Sequence, residues 1–320
     1  MKGIEADRGK TDERLIDLSN EYAAEVLGSK SYAPWLYVYS ALNNNFKEGW
    51  IPDNYYGKIV VPALKGNYGA IADYNALTSR LFNSPYFPDY VYFANGLWMT
   101  PEYKVLSQSE VADLAFQNTD KVVYKIDNSG QGNGVYILNR KKFNIHNLMK
   151  LGNGVLQKFA IQHSFFQEIM PDSVACVRTT SVIDDHGDVS VRSCYLRVGR
   201  RSHTHLKPDS LIRVSVDINT GILDKHGYLA NWHEIEEHPD THFVFSGKSI
   251  PNFEKFLATT ITLHKKVPFT RIIGWDLIMD KDDNIQVIEW NGSHNDIKFS
   301  EAKHGPCFAN LGWEELWKKQ

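Results

Sequence analysis

Two apolar segments near the C-terminus alternate with polar residues, and a polar turn joins them. The first segment is Gly274–Met279, the turn is Asp280–Asn284, and the second segment is Ile285–Asn291. Short apolar runs separated by Asp and Asn residues predict a β-hairpin. With the turn centred on Asp282 and Asp283, residues whose numbers sum to 565 face each other across the two strands.

The predicted register places three oxygen-bearing side chains on one face of this hairpin. Asp276 lies opposite Glu289, and Asn291 projects from the same face two residues further on. Opposed side chains have Cβ atoms about 4.5–5.5 Å apart, so two carboxylates would repel each other unless a cation lay between them. Mg²⁺ binds one or two carboxylates and takes its other ligands from water and substrate phosphates. The hairpin therefore predicts a Mg²⁺ (or Mn²⁺) site, and a polar strip facing solvent is the alternative.

A glycine-rich loop lies upstream, between the predicted strands Val122–Ile126 and Val135–Leu138. Glycine occupies every second position at the end of this loop, which lets backbone amides approach phosphate oxygens. Lys125 would add a point charge next to the same phosphates. The loop lacks the Gly-Lys-Ser/Thr ending of a P-loop, so it predicts another kind of phosphate-binding hairpin, or only a turn. The predicted phosphate contacts in the loop are Ser129, Gly130, Gly132 and Gly134.

The remaining hydrophobic pattern predicts a mixture of helices and strands. Helical spacing covers residues 11–45, 73–83, 107–116, 143–148 and 251–266. Strands are predicted at residues 58–61, 90–93, 155–159, 175–184, 189–198 and 211–216. With 320 residues, of which 42% are hydrophobic, the chain can bury a substantial core in two or three lobes.

Charge and cysteine content exclude several classes of partner and indicate a compartment. A net charge of −3 and a pI near 6.5 predict no binding to nucleic acid or to anionic membranes. Cys176, Cys194 and Cys307 lack metal-ligand spacing, which predicts reduced thiols in a cytoplasmic protein. No apolar signal core and no apolar run of about eighteen residues is found, so no membrane span is predicted. The sequence leaves the oligomeric state open.

The lysine, the glycine loop and the Asp…Glu-x-Asn set together resemble the ATP-grasp superfamily. The spacing of thirteen residues from Asp276 to Glu289 is similar to that of the D-alanine–D-alanine ligase type. A closer resemblance is to the sugar-transfer-associated ATP-grasp family of bacterial polysaccharide gene clusters, and it covers roughly residues 70–300. The matching blocks are Gln162-His163, Ser173–Thr180, Val216–Gly221, His238–Thr241 and Ile273–Asp276.

This resemblance implies an α/β (α+β) ATP-grasp fold, with two α+β lobes that clamp ATP and a small N-terminal domain. The implied division is a partly helical N-terminal domain at 1–100, a lid subdomain with the glycine-rich hairpin at 101–160, and a core with the metal site at 161–320. The implied ligands are ATP and Mg²⁺.

The resemblance also implies roles for individual residues. Gln157, Lys158, Phe159 and Ala160 occupy the hinge that binds adenine in the family, and Gln162 would reach the ribose. Arg178 matches an arginine near the γ-phosphate, so Arg178 and Lys125 are the expected catalytic residues. Arg80 stands where the family has its first phosphate-binding lysine. Apart from the resemblance, Arg197, Arg200 and Arg201 are further candidates, one of which could hold a substrate carboxylate; a solvent-facing position is the alternative for each.

One segment departs from the family pattern. The family often has an asparagine and two glycines just before its Val-Asp-x-x-Thr-Gly block, and residues 205–213 here lack them. If that loop handles the phosphoryl acceptor, the acceptor of this protein differs or its loop works differently. His203 and His205 have the spacing of a metal pair but no further ligands near them in sequence, so a second metal site is not favoured.

The activity implied is that of an ATP-dependent carboxylate–amine ligase, which forms an amide through an acyl phosphate. The expected substrates are a uronic acid or other carboxylated sugar precursor and an amine or amino acid. A kinase that phosphorylates a small-molecule or sugar acceptor is one alternative. A nucleotide-binding accessory protein without turnover is the other.

Overall fold

The computed structural model describes residues 1–129, 133–200 and 210–319. The α-helices are α1 (Lys2–Arg8), α2 (Glu13–Glu25), α3 (Ala33–Asn43), α4 (Asp53–Tyr55), α5 (Val61–Leu64), α6 (Thr78–Phe82), α7 (Gln108–Ala115), α8 (Ile145–Leu151), α9 (Ser164–Ile169), α10 (Phe253–His264) and α11 (Lys298–His304). The strands are β1 (Asp89–Ala94), β2 (Leu97–Met99), β3 (Val105–Leu106), β4 (Lys121–Ile126), β5 (Val135–Asn139), β6 (Gly154–Lys158), β7 (Cys176–Ile183), β8 (Val189–Val198), β9 (Ile212–Val216), β10 (Leu223–Tyr228), β11 (Glu234–Ile235), β12 (Ile272–Met279) and β13 (Ile285–Asn291).

The described strands form two antiparallel sheets. A six-stranded sheet has the order β3-β2-β1-β6-β4-β5, and a seven-stranded sheet has the order β11-β10-β9-β8-β7-β12-β13. Neighbouring strands pair antiparallel throughout both sheets. Both sheets carry helices, so the predicted α+β fold class is confirmed.

One predicted strand is wrong. Residues 58–61 were expected to be extended because β-branched residues dominate them, but they lie in a helical segment formed by α4, a π-turn at Tyr56–Val60 and α5. The buried residues there are Tyr55, Tyr56, Ile59 and Val60, which have the spacing of one helix face. Burial of that face therefore overrides the β-propensity of the run.

The strongest helix predictions are confirmed, with shifted ends. Residues 251–266 contain α10, and residues 107–116 contain α7, which begins with a capping box between Ser107 and Glu110. The predicted helical region 11–45 is divided into α2 and α3, with Gly28 at φ 80° between them. Residues 73–83 form short 3₁₀ turns followed by α6.

The two faces of the seven-stranded sheet are covered differently. Val177 and Trp275 point from one face and pack with Phe256 of α10 in a buried cluster. Tyr195 and Ile272 point from the other face and pack against the N-terminal helices. That second cover is partial, because charged side chains occupy the rest of the face. The open part forms the floor of a cleft.

The predicted division at residues 100 and 160 stays a prediction, but contacts cross both boundaries. Strands β1 and β2 precede residue 100, and they belong to the same sheet as β3–β6, which follow it. The N-terminal helices share a buried cluster with Phe299, Phe308 and Trp313 near the C-terminus. No helix in the described part of the chain is long and apolar enough to cross a membrane.

A buried carboxylate ties the N-terminal segment to the C-terminal one. Glu301 on α11 accepts hydrogen bonds from the backbone N–H groups of Ile51, at 2.9 Å, and Cys307, at 2.8 Å. Burial raises the pKa of Glu301 to about 7, although these two N–H groups favour its charged form. The folded protein therefore favours the protonated, neutral form of Glu301.

We expect the free energy of unfolding to fall by about 2–3 kcal/mol between about pH 5 and pH 8 through Glu301 alone. The sign follows because the folded protein keeps a proton on Glu301 in this range that the unfolded chain has released. Glu301→Gln cannot titrate there. Urea unfolding at several pH values should therefore show the wild type losing stability relative to the variant as pH rises. Parallel pH profiles for the two proteins would contradict this assignment.

Candidate functional site

A cleft of about 810 Å³ lies between the two sheets. Strands β4, β5 and β6 line one side, and the open part of the seven-stranded sheet lines the other. Lys125 of β4 crosses it, and its Nζ donates a hydrogen bond to the carbonyl oxygen of Ile288 at 2.6 Å. The predicted site residues that line the cleft are Lys125, Ser129, Gln157, Lys158, Phe159, Ala160, Arg178, Asp276, Glu289 and Asn291.

One end of the cleft is an apolar slot beside the predicted hinge. Val123, Ile137 and Ile278 line it from the two sides. Gln157 is buried, and its Nε2 donates to Asp89 Oδ1 at 2.7 Å, which fixes the orientation of the amide. An apolar slot with a few fixed polar groups at its edge is typical of a small-molecule or cofactor site.

At the hinge, backbone groups are already engaged by a neighbouring segment. The N–H group of Lys158, a hinge residue that the family resemblance places beside adenine, donates to the carbonyl oxygen of Pro88 at 2.8 Å. Phe159 and Ala160 follow and face the cleft. Any base bound here would therefore meet the backbone of residues 159–160 rather than the N–H of Lys158.

The loop after β4 begins as a tight turn. The hydroxyl of Ser129 donates to the carbonyl oxygen of Ile126 at 2.6 Å. A Cβ added to Gly134 would lie 2.2 Å from the Ser129 hydroxyl, so the turn requires glycine at that position. Other predicted site residues lie outside the described residues: Gly130 and Gly132 in this loop, and Arg201, His203 and His205 in the segment before β9.

The predicted hairpin register is confirmed at the site. Asp276 pairs with Glu289, and Gly274 pairs with Asn291, so the numbers sum to 565 there. A β-bulge between Asp276 and Leu277 shifts the remaining pairs by one residue, and Leu277 faces Val287. The bulge leaves Ile288 outside the ladder, where its carbonyl oxygen accepts the hydrogen bond from Lys125.

The cations beside Asp276 are guanidinium groups. Arg178 donates to it from Nε at 2.7 Å and from Nη2 at 2.8 Å, and Arg197 Nη1 lies 2.8 Å from both carboxylate oxygens. Burial alone would raise the pKa of Asp276, but the two arginines outweigh it and hold the pKa well below its usual range. This buried carboxylate is therefore charged and firmly positioned.

Glu289 has the opposite environment. Its side chain opens into the cleft, and no described residue forms an ion pair or hydrogen bond with it. The side chain is exposed to the cleft, but the surrounding protein displaces part of its hydration, and this effect together with the neighbouring Asp276 raises its pKa. Asn291, on the same face, donates its amide to the carbonyl oxygen of Gly274 at 3.2 Å. An uncompensated carboxylate beside a second one and an amide oxygen is the donor chemistry that Mg²⁺ prefers.

These three residues therefore fit the predicted metal in chemistry, although the oxygens of Asp276 are shared with two arginines. Within the described ranges, no cluster of three His, Cys, Asp or Glu side chains is arranged to hold a metal ion. Two carboxylates and one amide are what a Mg²⁺ bound to substrate phosphates needs, because the phosphates supply the other oxygens.

Two predicted arginines lie away from the cleft. The guanidinium of Arg80 stacks over the ring of Tyr103 at 4.8 Å. Arg200 forms a bidentate pair with Asp240, with N–O distances of 2.6 and 2.8 Å. Of the two described candidates for a substrate carboxylate, Arg197 and Arg200, only Arg197 lines the cleft.

Gln162 has a structural role, because its side chain bonds the backbone of a neighbouring segment. Its Nε2 donates to the carbonyl oxygens of Met170 at 2.6 Å and Ser173 at 2.8 Å, and its Oε1 accepts from the N–H of Ala175 at 2.9 Å. The side chain is buried and is not part of the cleft lining. In this structure the amide holds the segment that leads into β7, so it is not free to reach a ribose.

Sequence reasoning missed several charged residues at the far end of the cleft. Arg213, His294, Asp296 and Lys298 line the end that lies beyond Arg178 and Arg197. The sequence marks Arg213 only as a charged residue within a predicted strand, and that alone does not indicate a position in a site. The other three follow the hairpin in a segment with no periodic pattern. Their convergence depends on strand order, which the sequence does not display.

Comparison with known families now identifies the class. The sequence profile described as sugar-transfer associated ATP-grasp matches residues 147–310. The chain belongs to the sugar-transfer associated ATP-grasp family. The match includes Gln157, Arg178 and the β12–β13 hairpin, whereas Lys125 and the glycine loop precede it. No curated protein sequence matches the chain significantly.

Solved structures share the general architecture at low similarity. The biotin carboxylase domain of a Hydrogenobacter thermophilus 2-oxoglutarate carboxylase, solved with MgADP, has a TM-score of 0.48 and 12% identity over 96% of this chain and 56% of that one. A Thermotoga maritima N5-carboxyaminoimidazole ribonucleotide synthetase has a TM-score of 0.43 and 9% sequence identity. The match covers 89% of this chain and 61% of that one. The ATP-grasp ligase PsnB, solved with its minimal precursor, has a TM-score of 0.43 and 13% sequence identity. The match covers 80% of this chain and 64% of that one. These TM-scores are too low to transfer a site.

We expect the two facing carboxylates to differ in their effect on stability. Asp276→Asn would leave Arg178 and Arg197 without their carboxylate, so the unfolding free energy should fall by about 3–5 kcal/mol. Glu289→Gln removes a charge that repels Asp276, so stability should hold or rise slightly. Urea unfolding with chelator and without nucleotide measures both. Equal losses in the two variants would mean that the arginines do not depend on Asp276.

Proposed function

We propose that this protein is an ATP-dependent ligase that joins a carboxylate to an amine through an acyl phosphate. The observation that carries the proposal is the meeting of Lys125, Arg178 and the Asp276–Glu289 pair in one cleft, next to an apolar slot. Cations for phosphate, carboxylates for a metal and a slot for a base are the parts that ATP requires. Membership of the ATP-grasp family supports the same reading.

ATP would bind along the cleft from the slot towards Arg178. Its adenine would lie between Val123, Ile137 and Ile278, beside residues 157–160. Its phosphates would replace the carbonyl oxygen of Ile288 as the partner of Lys125. Burial lowers the pKa of Lys125, although Glu289 opposes this. Bound phosphates would favour its charged form.

Asp276, Glu289 and Asn291 would hold Mg²⁺, which neutralises charge on the phosphates when it is bound. Glu289 is the carboxylate that needs a cation most, since it has no partner among the described residues. Arg178 is held in place by two hydrogen bonds to Asp276. A guanidinium fixed in this way can stabilise a transferring phosphoryl group without reorganising.

The reaction would proceed in two displacements. A carboxylate oxygen of the acid attacks the γ-phosphorus, the bond to the leaving oxygen of ADP breaks, and an acyl phosphate forms. The amine nitrogen then attacks the acyl carbon, inorganic phosphate leaves, and the nitrogen loses a proton. Lys125 and Arg178 act in the first displacement by neutralising phosphate charge and aligning the groups. Substrates bound over the cleft would shield the acyl phosphate from water.

The family description favours sugar chemistry, so the acid would be a uronic acid or another carboxylated sugar precursor used in polysaccharide assembly. The second substrate would be an amine or amino acid. All three cysteines are free and buried. Free thiols and the use of ATP fit the predicted cytoplasmic location.

A hydroxylamine trap tests the acyl phosphate. ATP, Mg²⁺, hydroxylamine and a panel of uronic, sugar and amino acids should give a hydroxamate with at least one acid, because hydroxylamine intercepts mixed anhydrides. Arg178→Ala should reduce hydroxamate formation at least 100-fold, since the arginine acts before the amine enters. Arg178→Lys keeps a charge beside Asp276 and should recover part of the rate.

Two other outcomes would replace the ligase proposal. A stable phosphorylated hydroxyl product, formed without hydroxamate, would make the protein a kinase. ATP binding without turnover on any acid or hydroxyl acceptor would make it an accessory protein. Full hydroxamate formation by Arg178→Ala would remove this arginine from the phosphoryl site.

Lys125→Ala should weaken ATP binding and lower kcat together, because its charge meets phosphates in the ground state and in the transition state alike. A loss of about tenfold or more in each is expected. Lys142→Ala, in an exposed turn after β5, is the matched control and should change neither. Fluorescence titration with a labelled ATP analogue and steady-state ADP release measure the two effects. Unchanged nucleotide affinity in Lys125→Ala would contradict the phosphate role.

A further inference from the structure

Two arginines face each other on adjacent strands at the far end of the cleft. Arg197 on β8 pairs in register with Arg213 on β9, and both line the cleft. Directly opposed side chains of like charge destabilise a sheet unless something compensates them. The repulsion between Arg197 and Arg213 therefore destabilises the sheet unless nearby carboxylates neutralise the two charges.

The compensation within the protein is incomplete. Arg197 uses Nη1 for Asp276, and its Nε is buried without a hydrogen-bond partner among the described residues. Arg213 has an ion pair with Asp296, but the N–O distance is 4.0 Å. Asp296 is also paired with Lys298, at 3.3 Å. Among the described residues, Arg213 thus has no carboxylate closer than 4.0 Å, and one donor of Arg197 is unused.

The position of this pair relative to the phosphoryl site is set by strand order. From Glu289 the order across the sheet is β13, β12, β7, β8 and β9, so Arg197 and Arg213 lie on the side of Arg178 away from Glu289. Neighbouring strands are about 4.8 Å apart, so β9, which carries Arg213, lies about 10 Å across the sheet from β7, which carries Arg178. Lys125 and the apolar slot lie on the Glu289 side. The pair therefore lies where the acid, and not ATP, would extend.

We propose that the acid substrate carries a second anionic group, a carboxylate or a phosphate, and that Arg197 and Arg213 bind it. The proposal depends on the ligase function for the identity of the reacting carboxylate, which would lie at Arg178. The second group would lie one to two strands further along, about 5–10 Å away. Arginine suits this role because its planar donors grip carboxylate or phosphate oxygens two at a time.

The test compares acids of the same chain that carry or lack a second carboxylate group. Calorimetric titrations of ADP- and Mg²⁺-saturated protein at constant ionic strength would use three pairs: succinate with propionate, glutarate with butyrate, and adipate with valerate. A fourth ligand, 2-carboxyethylphosphonate, distinguishes a phosphate-like second group from the carboxylate of succinate. We expect at least one dianion to bind at least tenfold more tightly than its monoanionic partner.

Arg213→Gln should reduce that preference to about onefold while leaving ADP affinity unchanged. Arg213→Lys, which keeps the charge but loses the planar donor set, should retain part of it. Arg200→Gln removes an arginine of equal charge that pairs with Asp240 outside the cleft lining, so it should keep the full preference. Melting curves without ligand confirm that each variant is folded.

A wild type that shows no preference for any dianion overturns the proposal, and so does a preference that persists in Arg213→Gln. Failure of the ligase function gives a different result, because ADP would then not bind or no acid would yield a hydroxamate. ADP binding with hydroxamate formation but without a preference for dianions would refute only the second anion site.

Discussion

The contact between Asp276 and two arginines is the constraint on which the site depends. A charged carboxylate in the middle of a buried sheet is tolerated only when its oxygens are fully paired. Arg178 on β7 and Arg197 on β8 supply that pairing across two neighbouring strands. Because each guanidinium bonds the same carboxylate, the three strands hold their charged side chains in one arrangement before any ligand arrives. The floor of the cleft is thus preorganised by its own ion pairs.

The local sequence pattern was sufficient to predict the β12–β13 hairpin, but it could not predict which residues surround that hairpin in the fold. The alternation and the central Asp-Asp turn predicted that Asp276 faces Glu289, and the structure has that pair. The cation beside Asp276 could not be predicted, because Arg178 and Arg197 are 98 and 79 residues away in sequence. Strand order decides which residues meet there. The bulge at Ile288 was equally invisible, since nothing in the apolar run marks the extra residue.

Much of the sequence that carries the family resemblance builds turns around the cleft. Gln162 holds the approach to β7 through three backbone hydrogen bonds. Asp217 accepts two backbone N–H groups and the Thr220 hydroxyl in the turn after β9. His238 accepts from two backbone N–H groups and bonds the carbonyl oxygen of Gly199. Short motifs with polar side chains are therefore strong evidence for the fold and weaker evidence for contact with a ligand.

The far end of the cleft, unlike its floor, is supported by a residue from the N-terminal part of the chain. Asp53, from the N-terminal helical segment, lies 3.5 Å from His294 and 3.8 Å from Lys298, which both line the cleft. The family profile begins at residue 147, so this end joins a matched segment to an unmatched one. Phosphoryl chemistry would use the floor, whose strands lie within the segment that the family profile matches. The acid would then be held by Arg197 and Arg213 from the matched segment, beside His294 and Lys298, which Asp53 positions from the unmatched one.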